Sequence, residues 1–192
     1  MNTSTEIEAP VIKEISERRS RRAYSAQAVS AQTIHSLFEA ARWAPSSVNE
    51  QPWIYVYATK DQPELWNKLF EPLNDTNKVW AKDAPLLVLS LSRKTFTRNG
   101  RFNGSAQYDL GAANAFLSLQ ATALGLNVHQ IGGYDRQKAV ELLNVPDTFE
   151  PGVVLAIGYP GDPELLPEPL KQRELSPRER QRRESFVKNS SF

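Results

Sequence analysis

Apolar positions along this chain recur with two different periods. After Ser30, a residue suited to capping, Ile34, Leu37, Phe38 and Ala41 fall at i, i+3, i+4 and i+7, which predicts an amphipathic helix. Pro45 ends it near Ala44, because a proline disfavours helical geometry in the residue before it. Upstream, Pro10 suits a first helical turn, and Val11, Ile12 and Ile15 form a short apolar stripe that runs into Arg18. Ile54 to Thr59 alternates and is rich in β-branched and aromatic residues, predicting a strand. Leu65, Trp66, Leu69 and Phe70 return to helical spacing. The unbroken apolar run Pro85–Leu91 predicts a strand covered on both faces.

The longest helical signal covers Ser105 to Leu124, with Gly125 as its C-terminal cap. Gly111, Ala112, Ala113, Ala115, Phe116, Leu117 and Leu119 leave it almost no polar side, so it has to be covered nearly all round. Either the rest of its own core or a second copy of the chain can do this. Asn127–Ile131 predicts a strand, Gly132-Gly133 a turn, Asp135 a helix cap, and Val153–Gly158 another strand. Four prolines between Pro163 and Pro177 mark an extended segment leaving the body. The division expected is a body over 11–160 and a tail over 161–192. The tail carries a charged helix within Ser176–Lys188, where Glu179/Arg183 and Arg180/Glu184 pair at i, i+4, and it wraps the partner subunit. That face is an ordinary solvated one, with a partner protein, RNA or a membrane as the alternatives.

Composition narrows the chemistry. The chain has 192 residues, 40% of them hydrophobic, and a formal charge of +1, which fits one domain and gives no support to general nucleic-acid binding. No cysteine is present, which excludes disulfides, thiolate-bound zinc, iron–sulfur clusters and cysteine nucleophiles. No membrane-length apolar run and no secretory pattern occurs, so a soluble cytoplasmic protein is expected. Nothing suggests a metal site. Chemistry must come from other side chains or from a cofactor, and the absence of a Gly-x-Gly-x-x-Gly fingerprint argues against a resident dinucleotide.

Two segments carry candidate chemistry. Arg18-Arg19-Ser20-Arg21-Arg22 concentrates guanidinium groups, which bind phosphate through paired donors and keep their charge near neutral pH. Read alone, it is first an ordinary charged helix end, with some arginines facing solvent or pairing with acids such as Glu14 and Glu17. Pro45-Ser46-Ser47-Val48-Asn49-Glu50-Gln51-Pro52-Trp53 strings hydroxyls and amides along an irregular turn, suited to a flat heterocycle. It is equally a polar turn satisfying its own backbone.

Their order and spacing resemble the nitroreductase family of flavin enzymes. The resemblance continues through Asn77 ahead of Ala84-Pro85, the long Gly/Ala-rich helix, Ile131-Gly132-Gly133-Tyr134, Ala156-Ile157-Gly158-Tyr159-Pro160 and Lys171-Gln172-Arg173. It spans about residues 11 to 173. What it implies is an α+β fold, a central mostly antiparallel sheet flanked by helices, in an intertwined homodimer with one FMN at each of two interface sites. Arg18, Arg19, Ser20 and Arg22 would hold the phosphate and the pyrimidine side of the ring from one subunit. Pro45, Ser46, Ser47 and Asn49 would reach the same flavin from the other. Asn77 would contact the pyrimidine edge, Gln130, Ile131, Gly132 and Gly133 would line the ring near N5, and Lys171 and Arg173 would close on the phosphate.

The implied activity is hydride transfer from NADH or NADPH through flavin N5 to a nitroaromatic, quinone or other electron-poor acceptor in a ping-pong cycle. No side-chain acid or base is required, and Arg22 would stabilise negative charge near N1 and the C2 carbonyl. Gly132 and Gly133 let the backbone approach a ring closely, or simply form a turn. His35 reads as structural or exposed, and His129, next to the expected flavin turn, as a neighbour rather than a ligand. The alternatives are a non-catalytic flavin- or anion-binding module, a structural interaction protein, and a dehydrogenase, dehalogenase or flavin-fragmenting enzyme of the same fold.

Overall fold

A computed structural model of the chain describes residues 3–191. Its strands are β1 (Thr3–Ser4), β2 (Trp53–Thr59), β3 (Leu86–Arg93), β4 (Asn127–Ile131), β5 (Phe149–Gly158) and β6 (Arg180–Gln181). Its helices are α1 (Lys13–Glu17), α2 (Ala31–Arg42), α3 (Pro63–Phe70), α4 (Asp75–Ala81), α5 (Ala106–Ala123), α6 (Arg136–Leu143) and α7 (Leu170–Leu175). Four strands form one antiparallel sheet in the order β2-β3-β5-β4, while β1 and β6 pair separately.

The apolar run in β3 is explained by helices on both faces. Successive side chains of a strand point to opposite sides. Leu86 and Val88 join Leu155 and Ile157 of β5 under α2 and α5, through Ile34, Leu37, Ala113, Leu117 and Ala121. Leu87, Leu89 and Leu91 join Val154 and Ala156 under α3, α4 and α6, through Trp66, Leu69, Trp80, Ala81 and Ala139. Two apolar layers therefore bury both faces of β3 from Leu86 to Ser92.

The expected caps are present. Ser30 accepts from the Thr33 backbone N–H at 3.1 Å, Asp135 accepts from that of Lys138 at 3.0 Å, and Gly125 ends α5 at φ +75°. On helix α5, Leu110, Ala113, Leu117 and Ala121 point inward, while Tyr108, Gly111, Ala115 and Phe116 lie on a side that the single chain leaves open. Three expectations are corrected. Pro10 lies outside α1, which begins only at Lys13, and Val11, Ile12 and Ile15 are exposed. Glu17 meets Lys13 at 3.9 Å instead of an arginine of the cluster. Finally, Ser176–Lys188 is not a helix: Arg180–Gln181 pairs as β6 with β1 instead, and a short 3-10 turn follows at Arg183–Ser185. This segment folds back on the same chain, with Thr3 opposite Gln181 and Ser4 opposite Arg180.

Candidate active site

The arginine segment is neither helix nor strand and passes beside α7 and the tail. Arg19 donates to the Ser176 carbonyl at 2.6 Å and Arg21 to the Glu174 carbonyl at 3.2 Å, both at the C-terminal end of α7. Helix ends of this kind offer unpaired carbonyls, which suits cations. Arg22 also reaches this helix, with its guanidinium 3.9 Å from the Glu174 carboxylate, whereas Arg18 donates to the Ser20 hydroxyl at 3.3 Å. The sequence alone could not divide the cluster this way, because the carbonyls that sort it come from α7.

Beneath the segment, the Tyr24 hydroxyl donates to the Ala156 carbonyl at 2.9 Å, and burial pushes that hydroxyl's pKa up. His129 places Nδ1 3.1 Å from the Arg21 carbonyl and packs on Trp80, with ring centroids 4.5 Å apart. Burial, aided by the Arg22 guanidinium, pulls His129 down to about 4, so it is neutral at physiological pH. The Arg22 guanidinium lies 6.0 Å from the Trp80 ring centre.

Cations from the tail complete one end. Arg178 donates to the Ser16 carbonyl at 2.6 Å and also to that of Arg18. Burial, then Arg178, then Arg180 hold the Arg18 pKa below its ordinary value. Arg18, Arg178, Arg180 and Arg183 share the wall of a cavity of about 590 Å³ with Ile7, Val11, Ile15 and Phe186. Lys171, by contrast, is engaged by Glu164 at 2.5 Å, and Arg173 is exposed. The guanidinium groups facing Arg18 come from the segment whose i, i+4 charge pairs predict a solvated helix face, and the carbonyls of Ser16 and Arg18 that hold Arg178 lie far from it in sequence.

Asn77 lies on α4, where its amide Nδ2 donates to the Gly133 carbonyl at 3.0 Å. A Cβ on Gly133 would come within 2.8 Å of the Asn74 amide and 2.9 Å of the Asn77 amide, whereas Gly132 faces open space. Asn77 and the Gly132-Gly133 turn are therefore brought together as expected. Ile131 is buried in the sheet core, and Gln130 turns its amide to the Ser118 hydroxyl at 3.2 Å.

The Pro45–Trp53 turn lies elsewhere on the chain. Ser46 accepts from the Gln51 backbone N–H at 3.0 Å, while Val48, Asn49 and Gln51 all take positive φ. Buried Asp109 of α5 accepts from the Ser47 backbone N–H at 3.1 Å and seats the turn beside the open side of that helix. Pro45 and Asn49 are exposed, and among the described residues no hydrogen bond or ion pair joins this turn to Arg18–Arg22. Asp109, Glu174, Arg178 and Trp80 are site neighbours that the sequence reading did not single out.

Residues 15–159 match the model of the nitroreductase family. The chain belongs to the nitroreductase family. Among its nitroreductase relatives is a putative NADH dehydrogenase/NAD(P)H nitroreductase of Archaeoglobus fulgidus, 30% identical over 158 residues, covering 79% of this chain and 86% of that one. An FMN reductase [NAD(P)H] of Bacillus subtilis is 29% identical over 169 residues, covering 79% of this chain and 66% of that one. A crystal structure described as an oxidoreductase containing FMN superposes with a TM-score of 0.92 at 33% identity, over 97% of this chain and 95% of that one. A nitroreductase family protein of Clostridium difficile 630, 24% identical, shares the fold with a TM-score of 0.74 over 96% of this chain and all of its own.

Proposed function

We propose that this nitroreductase is an FMN-dependent oxidoreductase that takes reducing equivalents from NADH or NADPH and delivers them to an electron-poor small molecule such as a nitroaromatic or quinone. The observation that carries the reading is the arginine segment: Arg19 and Arg21 are spent on carbonyls at the end of α7, while Arg18 bonds the Ser20 hydroxyl and faces Arg178 and Arg180. A partly buried guanidinium facing two others is a place for a multiply charged anion. The donor set fits a flavin mononucleotide: cations for a phosphate, and the amides of Asn74 and Asn77 against Gly133 for a polar ring edge.

Bound FMN would supply hydride acceptance and donation at N5, which no side chain of this chain can provide. Arg18, Arg178 and Arg180 would hold the phosphate. Arg22 would place positive charge near the pyrimidine side, favouring the form with more negative charge. Asn77, fixed by Gly133, would orient the ring edge, and Gly132 would let the backbone approach closely.

The open side of α5, with Tyr108, Gly111, Ala115 and Phe116, supports a homodimer in which the Pro45–Trp53 turn of a second copy completes the site with Ser46, Ser47 and Asn49. Anaerobic titration of purified protein with FMN and then NADH or NADPH tests the activity. A yellow protein that bleaches with nicotinamide supports it, and a preparation that stays colourless with added FMN overturns it. Mixed dimers of Arg22→Ala and Asn49→Ala chains test the sharing: recovery of one intact site is expected, and no recovery counts against it.

A further inference from the structure

Glu174 is a buried carboxylate, 3% exposed, on a short helix whose neighbours in sequence are largely exposed. An isolated charge in that position is costly unless it is paired and hydrogen-bonded. Its partners all come from one place. The carboxylate accepts from the Arg22 backbone N–H at 3.0 and 3.1 Å and from the Ala23 backbone N–H at 3.4 Å. The Arg22 guanidinium stands 3.9 Å from the same carboxylate. Glu174 thus grips the main chain at Arg22 and Ala23 and stands beside the Arg22 side chain, and its own backbone carbonyl accepts from Arg21.

We infer that Glu174 is a positioning residue for Arg22, fixing where the guanidinium's charge meets the bound cofactor. The inference rests on the FMN reading above. It acts through two links: the N–H bonds fix the path of the backbone at Arg22 and Ala23, and the carboxylate limits the directions open to the side chain. Arg19 and Arg21 lack this arrangement, since their guanidinium groups end on carbonyls, which carry no net charge. A carboxylate that served only to hold the tail down would have no need to take both bonds and charge from Arg22.

The test is a double-mutant cycle on the full-length protein, read as the FMN dissociation constant and the midpoint potential of the bound flavin. Glu174→Asp keeps the charge but withdraws it by one methylene, and is expected to weaken FMN binding about tenfold, or about 1.4 kcal/mol. With Arg22→Ala already present, the same change is expected to cost less than about threefold. The potential is expected to fall in both single variants, because each removes or misplaces the positive charge that favours added electrons. General loosening of the fold would weaken binding equally with or without Arg22 and leave the potential where it was; that result overturns the inference.

Should Glu174→Asp not fold, Glu174→Gln keeps the reach and one accepting oxygen, and the same loss of additivity with Arg22→Ala is expected. Amide exchange in the unaltered protein gives a reading independent of any variant: slow exchange at Arg22 and Ala23 is expected, and fast exchange at both overturns the grip. Failure of the unaltered protein to bind FMN would defeat the functional reading instead, with the exchange result still deciding whether Glu174 holds Arg22.

Discussion

The Asn77 side chain and the Gly133 main chain hold each other: the amide donates to the carbonyl at 3.0 Å, and the space of a Gly133 Cβ is filled by the amides of Asn74 and Asn77. Gly133→Ala must therefore push both amides aside. It is expected to cost about 1 kcal/mol of stability and to weaken FMN binding about tenfold. Gly132→Ala, with nothing within 4 Å of the new methyl, should leave the stability of the cofactor-free protein unchanged. Chemical denaturation and fluorescence titration with FMN check the pair.

A second glycine supports the arginines from beneath. A Cβ on Gly161 would lie 2.4 Å from the Tyr24 backbone carbonyl group, which no side-chain rotation can relieve, and the Gly161 N–H donates to the Ala23 carbonyl at 3.0 Å. Gly161→Ala should destabilise the fold by about 1–3 kcal/mol, as overpacking does. Because the displaced backbone leads directly into Arg22, FMN affinity should fall with it. A variant with unaltered melting temperature would contradict this close approach.

The choice between tail cations is open to direct test. Arg178→Ala removes a guanidinium that faces Arg18 and braces the Ser16 and Arg18 carbonyls. A charge-assisted contact is worth about 1.5–3 kcal/mol, so FMN binding should weaken roughly 10- to 100-fold. Lys171→Ala removes a side chain already engaged by Glu164, and should change affinity less than about threefold. Equal losses at the two positions would return the phosphate role to Lys171.

His129 gives the protein an acid limit. Its folded-state pKa of about 4 lies below the unfolded value of about 6.5, so the unfolded chain takes up the proton first as pH falls. The stability this histidine contributes is complete above about pH 6.5 and is lost as pH drops toward 4, on the order of 3 kcal/mol in all. His129→Asn should flatten the decline in unfolding free energy between pH 7 and 4.5. Equal slopes in the two proteins would place the acid sensitivity elsewhere.

Sheet and main helices were legible because burial alone specifies them. The short apolar run from Leu86 to Leu91 suits a strand between two apolar layers, and Ser30, Asp135 and Gly125 cap their helices through bonds made within a few residues. Asn77 with Gly133 was legible through family likeness, as the order of short motifs survives in sequence. What was not legible depends on distant backbone: the carbonyls of Glu174 and Ser176 sort the arginines, and those of Ser16 and Arg18 recruit Arg178. Helix α4 and the pairing of β1 with β6 were missed for a related reason, since seven residues and two residues are too short for a period to emerge.

The grip of Glu174 on Arg22 also sets an order of events during synthesis. The arginine segment leaves the ribosome early, yet the carboxylate that seats it is 152 positions further along the chain. Until that stretch emerges, the arginine segment has neither the Glu174 carboxylate nor the guanidinium groups of Arg178 and Arg180 beside it. A nascent chain halted after β5 would already possess all four strands of the main sheet and still lack the carboxylate that holds Arg22.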